Sequence, residues 1–162
     1  AALLTPQLVT DAAKLTPDRA SNLAPALPLL QDAHFMLQRE VVDRMTAPPG
    51  GKDYGRLSVM LQARFAMRRV LDVPPEAFHP VPAVNSAIVR MQPLPQALVS
   101  AALQPRFEQV VAAAFSQRRK TLRNALRALI SPEQLQALDI DPGLRAETLP
   151  FEAFRRIAEK IT

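Results

Sequence analysis

The chain has 162 residues, of which 48% are hydrophobic, enough for one domain or two small ones with a packed core. The absence of cysteine excludes disulfides and thiolate metal sites, and no apolar run approaches the ~20 residues that span a bilayer, so we expect a cytoplasmic protein without a membrane segment. The 20 basic and 15 acidic side chains give a net charge of +5, and 16 prolines against four glycines indicate stiff connections between short elements.

Strands and helices are predicted to alternate up to residue 95, although residues 1–32 show no clear period. Near the start, Thr5 and Pro6 could cap and begin a helix. The elements predicted after residue 32 are, in chain order, a strand in "AHFML" (33–37), a helix in "QREVVDRM" (38–45), a loop in "APPGGKD" (47–53), a helix in "YGRLSVMLQARF" (54–65), a strand in "MRRVLDV" (67–73), an extended, proline-stiffened segment in "FHPVPAV" (78–84) and a strand in "NSAIVRM" (85–91).

Only helices are predicted after residue 95. The helix in "LVSAALQPRFEQVVAAAF" (98–115) places one set of apolar side chains on a single face: Phe107, Val110, Val111, Ala114 and Phe115. Further along we expect a capping box at Ser131 and Gln134, a turn at 141–143 and a last helix in "FEAFRRIAEKI" (151–161). The change in element type places a domain boundary near residues 93–97.

The excess positive charge lies in "FSQRRKTLRNALRALI" (115–130, the basic segment). Its five basic side chains, with no acidic one between them, are Arg118, Arg119, Lys120, Arg123 and Arg127. Without them, basic and acidic side chains balance at 15 each. If residues 107–130 formed one straight helix, Arg118 would point into its apolar face, where an unpaired guanidinium is costly to bury. We expect either a partner for Arg118 or a break near Ser116 and Gln117, and we favour the break, with the basic side chains at the start of a second helix.

A solvated helix face is the ordinary explanation of a basic run. Here no acidic residues are interleaved to form i, i+4 pairs, and the run holds the whole net charge of the chain. Both features favour contacts with the phosphates of a nucleic acid, which position it without reading its sequence. Charge alone does not distinguish RNA from DNA.

Five motifs, in a fixed order, resemble one known family, the bacterial small-subunit ribosomal RNA adenine N6,N6-dimethyltransferases. The resemblance covers roughly residues 33–162 and is carried by "HFMLQREVVDRM" (34–45), "KDYGRLSVMLQ" (52–62), "VPPEAFHPVPAVNSAIVRM" (73–91), "AFSQRRKTLRNAL" (114–126) and "IDPGLRAETL" (140–149). Members of that family use S-adenosylmethionine to dimethylate two adjacent adenosines near the 3′ end of 16S rRNA during maturation of the small subunit.

The resemblance implies an α/β + α fold. Residues 1–95, of which 1–32 are poorly assigned, would be an incomplete Rossmann-like methyltransferase domain, and residues 96–162 a small all-helical RNA-binding domain. The implied cofactor is S-adenosylmethionine, and the implied partner is 16S rRNA in the small ribosomal subunit. We expect a monomer.

The resemblance also implies roles for single residues. Arg118, Arg119 and Lys120 match the RNA-contacting segment of the family, and we assign Arg123 and Arg127 of the same run to RNA binding with them. Asn124, within the same motif, is expected to be a structural or capping group.

Phe78 is the candidate for stacking on the target base. It begins "FHPVPAV", which resembles a Phe-x-Pro-x-Pro-x-Val segment whose phenylalanine borders the active site in the family. A base must leave its stack to be methylated, and an aromatic face can hold it. The competing interpretation is a core phenylalanine that closes a strand. Ala83 and Asn85 stand where the family usually has Lys and Asp, which removes one charge of each sign beside this segment.

The first half of the family pattern is absent. No glycine-rich loop follows a strand, so the cofactor-binding residues are unknown, and the Asn-Leu-Pro-Tyr motif is missing as a unit. Asn22 and Leu23 could be the first half of that motif, but Ala24 and Pro25 follow. The chain is then either truncated or made of the ordered pieces of a longer enzyme. In both cases we expect that it does not bind S-adenosylmethionine by itself.

Two further functions stay open on the sequence alone. One is a non-catalytic RNA-binding or ribosome-binding fragment that lacks the cofactor site. The other is a DNA-binding helical protein, which the charge permits but the motifs disfavour.

The remaining polar and apolar signals have structural interpretations. His34 and His79 lie far apart without carboxylates at ligand spacing, so no metal site is expected. Tyr54 is expected to lie buried against the sheet, and Arg56 to have a structural role rather than an RNA contact. All five methionines are expected in the core.

Overall fold

The computed structural model describes residues 31–117 and 119–161, so the predicted helix start at Thr5 and the candidates Asn22 and Arg118 lie outside the described residues. The regular elements of this part are β1 (Ala33–Gln38), α1 (Arg39–Thr46), α2 (Arg56–Gln62), β2 (Phe65–Val73), β3 (Ser86–Pro93), α3 (Gln104–Ala114), α4 (Leu122–Ala125), α5 (Pro132–Gln136) and α6 (Phe151–Lys160). Short 3₁₀ turns occupy Pro75–Ala77 and Ala146–Thr148. The strands and helices predicted after residue 32 are therefore confirmed in type and order.

The three strands form one antiparallel sheet with β3 in the centre and β1 and β2 on either side. Phe35 of β1 and Met67 of β2 pair with Val89 and Met91 of β3 on the face that packs against α1 and α2. This alternation buries a small cluster, the sheet cluster, which contains Val42, Met45, Ala87, Val89 and Met91. Antiparallel strands of this kind commonly occur at one edge of an otherwise parallel α/β sheet.

The opposite face of the sheet is more open. Met36 of β1, which pairs with Ile88, is 45% exposed, so its predicted place in the core is wrong. The reason is the period of two along a strand, which sends Met36 to the face opposite Phe35 and Leu37. Val70, at an irregularity in the pairing of β2 with β3, is also 45% exposed.

A second and larger apolar group, the helical cluster, joins α3 and α6 with the loops around them. Phe107 packs on Phe151 with ring centres 5.4 Å apart, and Phe115 packs on Phe154 at 5.6 Å. The apolar face predicted for α3 is confirmed, because four of its five residues are buried and Phe115 is half-buried.

The helical cluster crosses the predicted boundary at residues 93–97. Val59 and Ala63, in and just after α2, are buried in it together with Val99 and residues from α3 onward. Strands are found only before the boundary within the described residues. The division into two domains stays a prediction, since α2 contributes to both apolar groups.

The break predicted in the basic segment is confirmed. Helix α3 ends at Ala114, and α4 starts only at Leu122. The hydroxyl and the backbone N–H of Ser116 both donate to the carbonyl of Ala113, at 2.7 and 3.2 Å, which closes the helix end. The bend lets Leu122 and Leu126 turn inward, and both are fully buried. Within the described residues, no helix is long and apolar enough to cross a membrane.

Candidate functional site

The basic segment lies on the surface of the helical half. Arg119 and Lys120 occupy the turn before α4, Arg123 lies within α4, and Arg127 follows it; all four side chains are exposed. None of the four forms an ion pair with a carboxylate of residues 31–117 or 119–161. An unpaired, exposed group of cations keeps its positive potential toward solvent, as a phosphate-binding surface requires.

A rigid turn holds the start of α4 in place. The backbone N–H groups of Leu122 and Arg123 donate to the carbonyls of Leu144 (2.8 Å) and Pro142 (3.0 Å), so two open donors of the helix N-terminus are satisfied. The turn itself is closed by the N–H of Gly143, which donates to Asp141 Oδ1 at 2.7 Å. A Cβ at residue 143 would meet that oxygen at 3.1 Å, so a larger residue there would require the Asp141 side chain to shift.

The capping box that starts α5 is confirmed, and it lies close to the basic segment. Gln134 N–H donates to Ser131 Oγ at 3.3 Å, and Ser131 N–H donates to Gln134 Oε1 at 2.9 Å. The pKa of the exposed Glu133 is lowered, mainly by the Ser131 hydroxyl and its own backbone N–H, and to a smaller degree by the charge of Arg123. Arg123 is thus near one acid without forming an ion pair with it.

Asn124 makes only local contacts. Its side-chain amide donates to Thr121 Oγ1 at 3.4 Å, and Thr121 is the N-cap residue of α4. This geometry agrees with the structural role expected of Asn124.

Phe78 lies in the loop that joins β2 to β3. Its ring is half-buried, its backbone is extended (φ −120°, ψ 153°), and its N–H donates to the carbonyl of Pro75 at 3.1 Å. Neither the sheet cluster nor the helical cluster includes Phe78. The peptide bond between His79 and Pro80 is cis.

The loop of Phe78 is at a defined end of the sheet. Ser86, at the start of β3, pairs with Gln38 and Val73, the last residues of β1 and β2. The loop therefore lies at the carboxyl ends of both outer strands, which is the edge where open α/β sheets bind their ligands.

Tyr54 and Arg56 differ from their predicted surroundings. Tyr54 is buried in the helical cluster instead of against the sheet, with its ring 6.2 Å from that of Phe115 and nearly perpendicular to it. Its burial, and secondarily the charge of Glu152, raises the pKa of Tyr54 to about 12. Arg56, the first residue of α2, is exposed and forms no ion pair or side-chain hydrogen bond with the part of the chain described, so a structural role through an acidic partner is not found there.

Arg56 and Lys120 border the same pocket, which also includes Arg44 at the end of α1. Sequence reasoning did not find this site, because its lining comes from segments as far apart as residues 44 and 147. The motif "KDYGRLSVMLQ" (52–62), whose first six residues line the pocket, was a sequence signal that could have identified it.

The described residues do not fit an S-adenosylmethionine site. Gly50, Gly51 and Gly55 lie between α1 and α2, and Gly143 lies in the turn beneath α4, so none of them follows the end of a strand. A loop that cradles the cofactor at the end of a strand is therefore not formed by these residues. Likewise, no three His, Asp or Glu side chains within residues 31–117 and 119–161 cluster as metal ligands would.

A family model and the curated relatives of this chain all name ribosomal RNA methyltransferases. The family model for ribosomal RNA adenine dimethylase matches residues 15–162. Ribosomal RNA small subunit methyltransferase A of Thiobacillus denitrificans is 61% identical over 130 residues, which cover 80% of this chain and 51% of the relative. The protein of the same name from Chromobacterium violaceum is 55% identical over 130 residues, covering 80% and 50%. The chain spans about half the length of these curated relatives.

Solved structures support the fold. A dimethyladenosine transferase from Plasmodium falciparum superposes with a TM-score of 0.72 at 23% identity, covering 89% of this chain and 62% of the other. The 23S rRNA methyltransferase ErmE gives a TM-score of 0.63 at 26% identity, covering 88% and 60%. The described elements are thus part of a Rossmann-like methyltransferase fold. On the extent of the family match, this chain belongs to the ribosomal RNA adenine dimethylase family.

Proposed function

We propose that the chain forms the RNA-docking part and the target-base side of an rRNA adenine N6-dimethyltransferase. The substrate would be two adjacent adenosines near the 3′ end of 16S rRNA, and S-adenosylmethionine would supply the methyl groups. The observation that carries the proposal is the basic segment, in which Arg119, Lys120, Arg123 and Arg127 are exposed without a carboxylate partner among the described residues.

The basic segment would dock the RNA through its phosphates. Each Lys or Arg that neutralises a phosphate releases condensed counterions, so affinity falls with salt in proportion to the number of contacts. Because α4 is tied to the turn at 141–144, the cations are presented on a fixed backbone. Arg118 is proposed as a further contact on the resemblance alone.

Phe78 would hold the extruded adenine. Two features support this role: the ring belongs to neither apolar cluster, and its loop lies at the carboxyl ends of β1 and β2. Base stacking on an aromatic side chain contributes about 1–3 kcal/mol per base, enough to favour one extruded conformation. Asn22 remains a candidate for the family's adenine-orienting asparagine.

The methyl donor would be held by residues other than those described. The described part of the chain would therefore contribute docking and orientation, which can lower a barrier by placing reactants correctly. A small all-helical RNA-binding domain from residue 96, cytoplasmic location and a monomeric state complete the proposal. No observation favours the purely non-catalytic alternative, and the relatives carry methyltransferase names.

The test compares two double variants with the same loss of charge. Arg119→Gln/Arg123→Gln removes unpaired cations of the basic segment, whereas Arg39→Gln/Arg69→Gln removes cations that pair with Asp43 beside the sheet. Binding to a transcript of the 3′ region of 16S rRNA is measured over a range of salt concentrations. The first variant should bind roughly tenfold or more weakly and lose about one to two units of salt slope. Equal losses in both variants would contradict the proposal.

Phe78→Ala serves as the second arm of the same experiment. It should leave docking on this RNA within about twofold, because phosphate contacts carry the affinity. In methyl-transfer assays on the protein together with the region that holds the donor, it should slow the reaction much more. Phe78→Tyr keeps an aromatic face and should retain most of the activity. Parallel losses of docking and rate in Phe78→Ala would indicate a fold defect instead.

A further inference from the structure

A pocket with a volume of about 330 Å³ lies beside the basic segment, where the loop before α2 meets the end of α3. Its buried or half-buried lining residues include an aromatic and aliphatic group: Tyr54, Leu57, Ala114 and Phe115. Its exposed lining residues are all cationic: Arg44, Lys52, Arg56 and Lys120. The pocket thus has apolar side chains in its wall and basic side chains at its rim, of which Arg44 is paired with Glu40.

The size of the pocket limits what can enter it. Small-molecule sites typically measure ~300–1,000 Å³, so this pocket is at the lower end of that range. One nucleotide fits such a volume, whereas a base-paired helix does not. Two acidic residues, Asp53 and Glu147, also line the pocket, against the four basic ones.

The chemistry of the lining suits a nucleotide in two respects. Unpaired bases stack on aromatic faces, and the pocket wall contains the half-buried ring of Phe115, which the buried Tyr54 ring meets edge-on at 6.2 Å. Phosphate oxygens accept strong charge-assisted hydrogen bonds from Arg and Lys, and neither Arg56 nor Lys120 has an ion-pair partner in the described chain.

A buried donor also lacks a partner in this wall. The Tyr54 hydroxyl is inaccessible to solvent and has no hydrogen-bond partner among the described residues. Burying such a group without a hydrogen-bond partner is unfavourable.

We propose that this pocket takes one unstacked nucleotide of the bound RNA strand, with its base against Phe115, next to Tyr54, and its phosphate between Arg56 and Lys120. The inference rests on the proposed RNA docking and adds a second nucleotide site to it. Phe78 does not line the pocket, so the nucleotide held here is a different one from the target adenosine. The site would fix the register of the RNA relative to the basic segment.

Tyr54 supplies a direct probe, because it is the one tyrosine of a chain that has no tryptophan. Its emission therefore reports on this pocket alone. We expect adenosine monophosphate and a short single-stranded oligoribonucleotide to quench Tyr54 emission to a saturating level. Adenosine, which lacks the phosphate, and inorganic phosphate, which lacks the base, should each bind roughly tenfold more weakly than adenosine monophosphate.

Two substitutions and two matched controls locate the site. Arg56→Ala and Lys120→Ala should each weaken the quenching roughly tenfold, the effect of one charge-assisted hydrogen bond. Arg106→Ala and Lys160→Ala remove exposed cations of the same types that do not line the pocket, and should leave quenching unchanged. Circular dichroism checks that each variant is folded.

Three outcomes would overturn the inference. The first is no saturable change in Tyr54 emission with either nucleotide ligand, and the second is the same quenching in all four variants. If either is found while rRNA binding still depends on Arg119 and Arg123, the proposed function stands and the pocket assignment fails. The third is quenching by adenosine monophosphate without any by the oligoribonucleotide, which would make the pocket a site for free nucleotides.

Discussion

Arginines near the sheet and arginines of the basic segment differ in their partners. Arg69 Nη1 lies 2.9 Å from Asp43, and Arg90 Nη2 lies 2.6 Å from Asp32. In the basic segment, Arg119 and Arg127 have no carboxylate within ion-pair distance in the described part of the chain. The first pair of arginines is neutralised within the protein, whereas the second has no ion pair among the described residues.

Paired and unpaired arginines contribute equally to the net charge of the chain but differently to its surface potential. Exposed ion pairs contribute only about 0–1 kcal/mol to stability, but they cancel the local potential. The four described basic residues of the basic segment form no ion pairs with the described residues and so gain no stability from them. The segment is held in place by the burial of Leu122 and Leu126 and by backbone hydrogen bonds to the turn at 141–144. Charge and anchoring are thus supplied by different groups.

The largest expected effect concerns the anchoring of the basic segment. Leu122 is fully buried, so Leu122→Ala should lower the free energy of unfolding by about 2–5 kcal/mol through lost packing and a residual cavity. Leu98→Ala, at a leucine that is 47% exposed, is the matched control and should cost less than ~1 kcal/mol. Urea unfolding followed by circular dichroism measures both. Similar small losses would mean that burial does not secure the segment.

A second expectation concerns Tyr54, which lies where the loop before α2 packs on α3. Burial keeps its hydroxyl protonated, so tyrosinate absorbance in the folded chain should appear with a midpoint near pH 12, instead of the ~10 of an exposed tyrosine. Because the folded pKa is the higher one, this residue favours the folded state fully below the unfolded pKa. That contribution decreases as the pH rises from the unfolded pKa toward the folded one.

The measurement is an ultraviolet titration of the folded chain, with the urea-unfolded chain as reference. Since the chain has one tyrosine, the absorbance needs no deconvolution. A folded midpoint equal to that of the unfolded chain would show that Tyr54 is open to solvent, and the two halves would then be packed differently from the arrangement described.

The smallest expected effect is the difference in stability between replacing a paired arginine and replacing an unpaired one. Arg69→Ala breaks contacts with Asp43 and Asp72 and should cost about 0.2–1 kcal/mol of stability, less at high salt. Arg119→Ala breaks no ion pair with the described residues and should change stability by no more than ~0.5 kcal/mol. Chemical denaturation at low and high salt separates them. A salt-sensitive loss in Arg119→Ala would reveal an internal partner.

Local sequence patterns predicted the elements well. Three signals are each decided by residues close together in the chain: the short apolar run "AHFML", the capping signals at Ser131 and Gln134, and the end of β2 before Pro74. The break after Ala114 was also predictable, because the alternative would have placed a guanidinium in an apolar face.

The packing environment of single side chains was harder to predict than the strands and helices. Tyr54 was expected against the sheet but packs on Phe115, and Met36 was expected in the core but lies on the open face. The place of Tyr54 depends on which element packs on the loop before α2, which no local period contains. Met36 was misplaced because the period of two along β1 was not applied to it. The assignments of Phe78 and the basic segment came from motif resemblance and stay proposals.

The sequence by itself determined the order of strands and helices, the concentration of charge in residues 115–130 and the family, because periodicity, composition and motifs are properties of short stretches of chain. Only the tertiary structure decided that Arg56 and Lys120 meet at one pocket with Tyr54 as a wall. These residues are brought together by the packing of α2 and α3 around a shared apolar cluster, and such long-range contacts follow from burial of the whole chain instead of from any single segment.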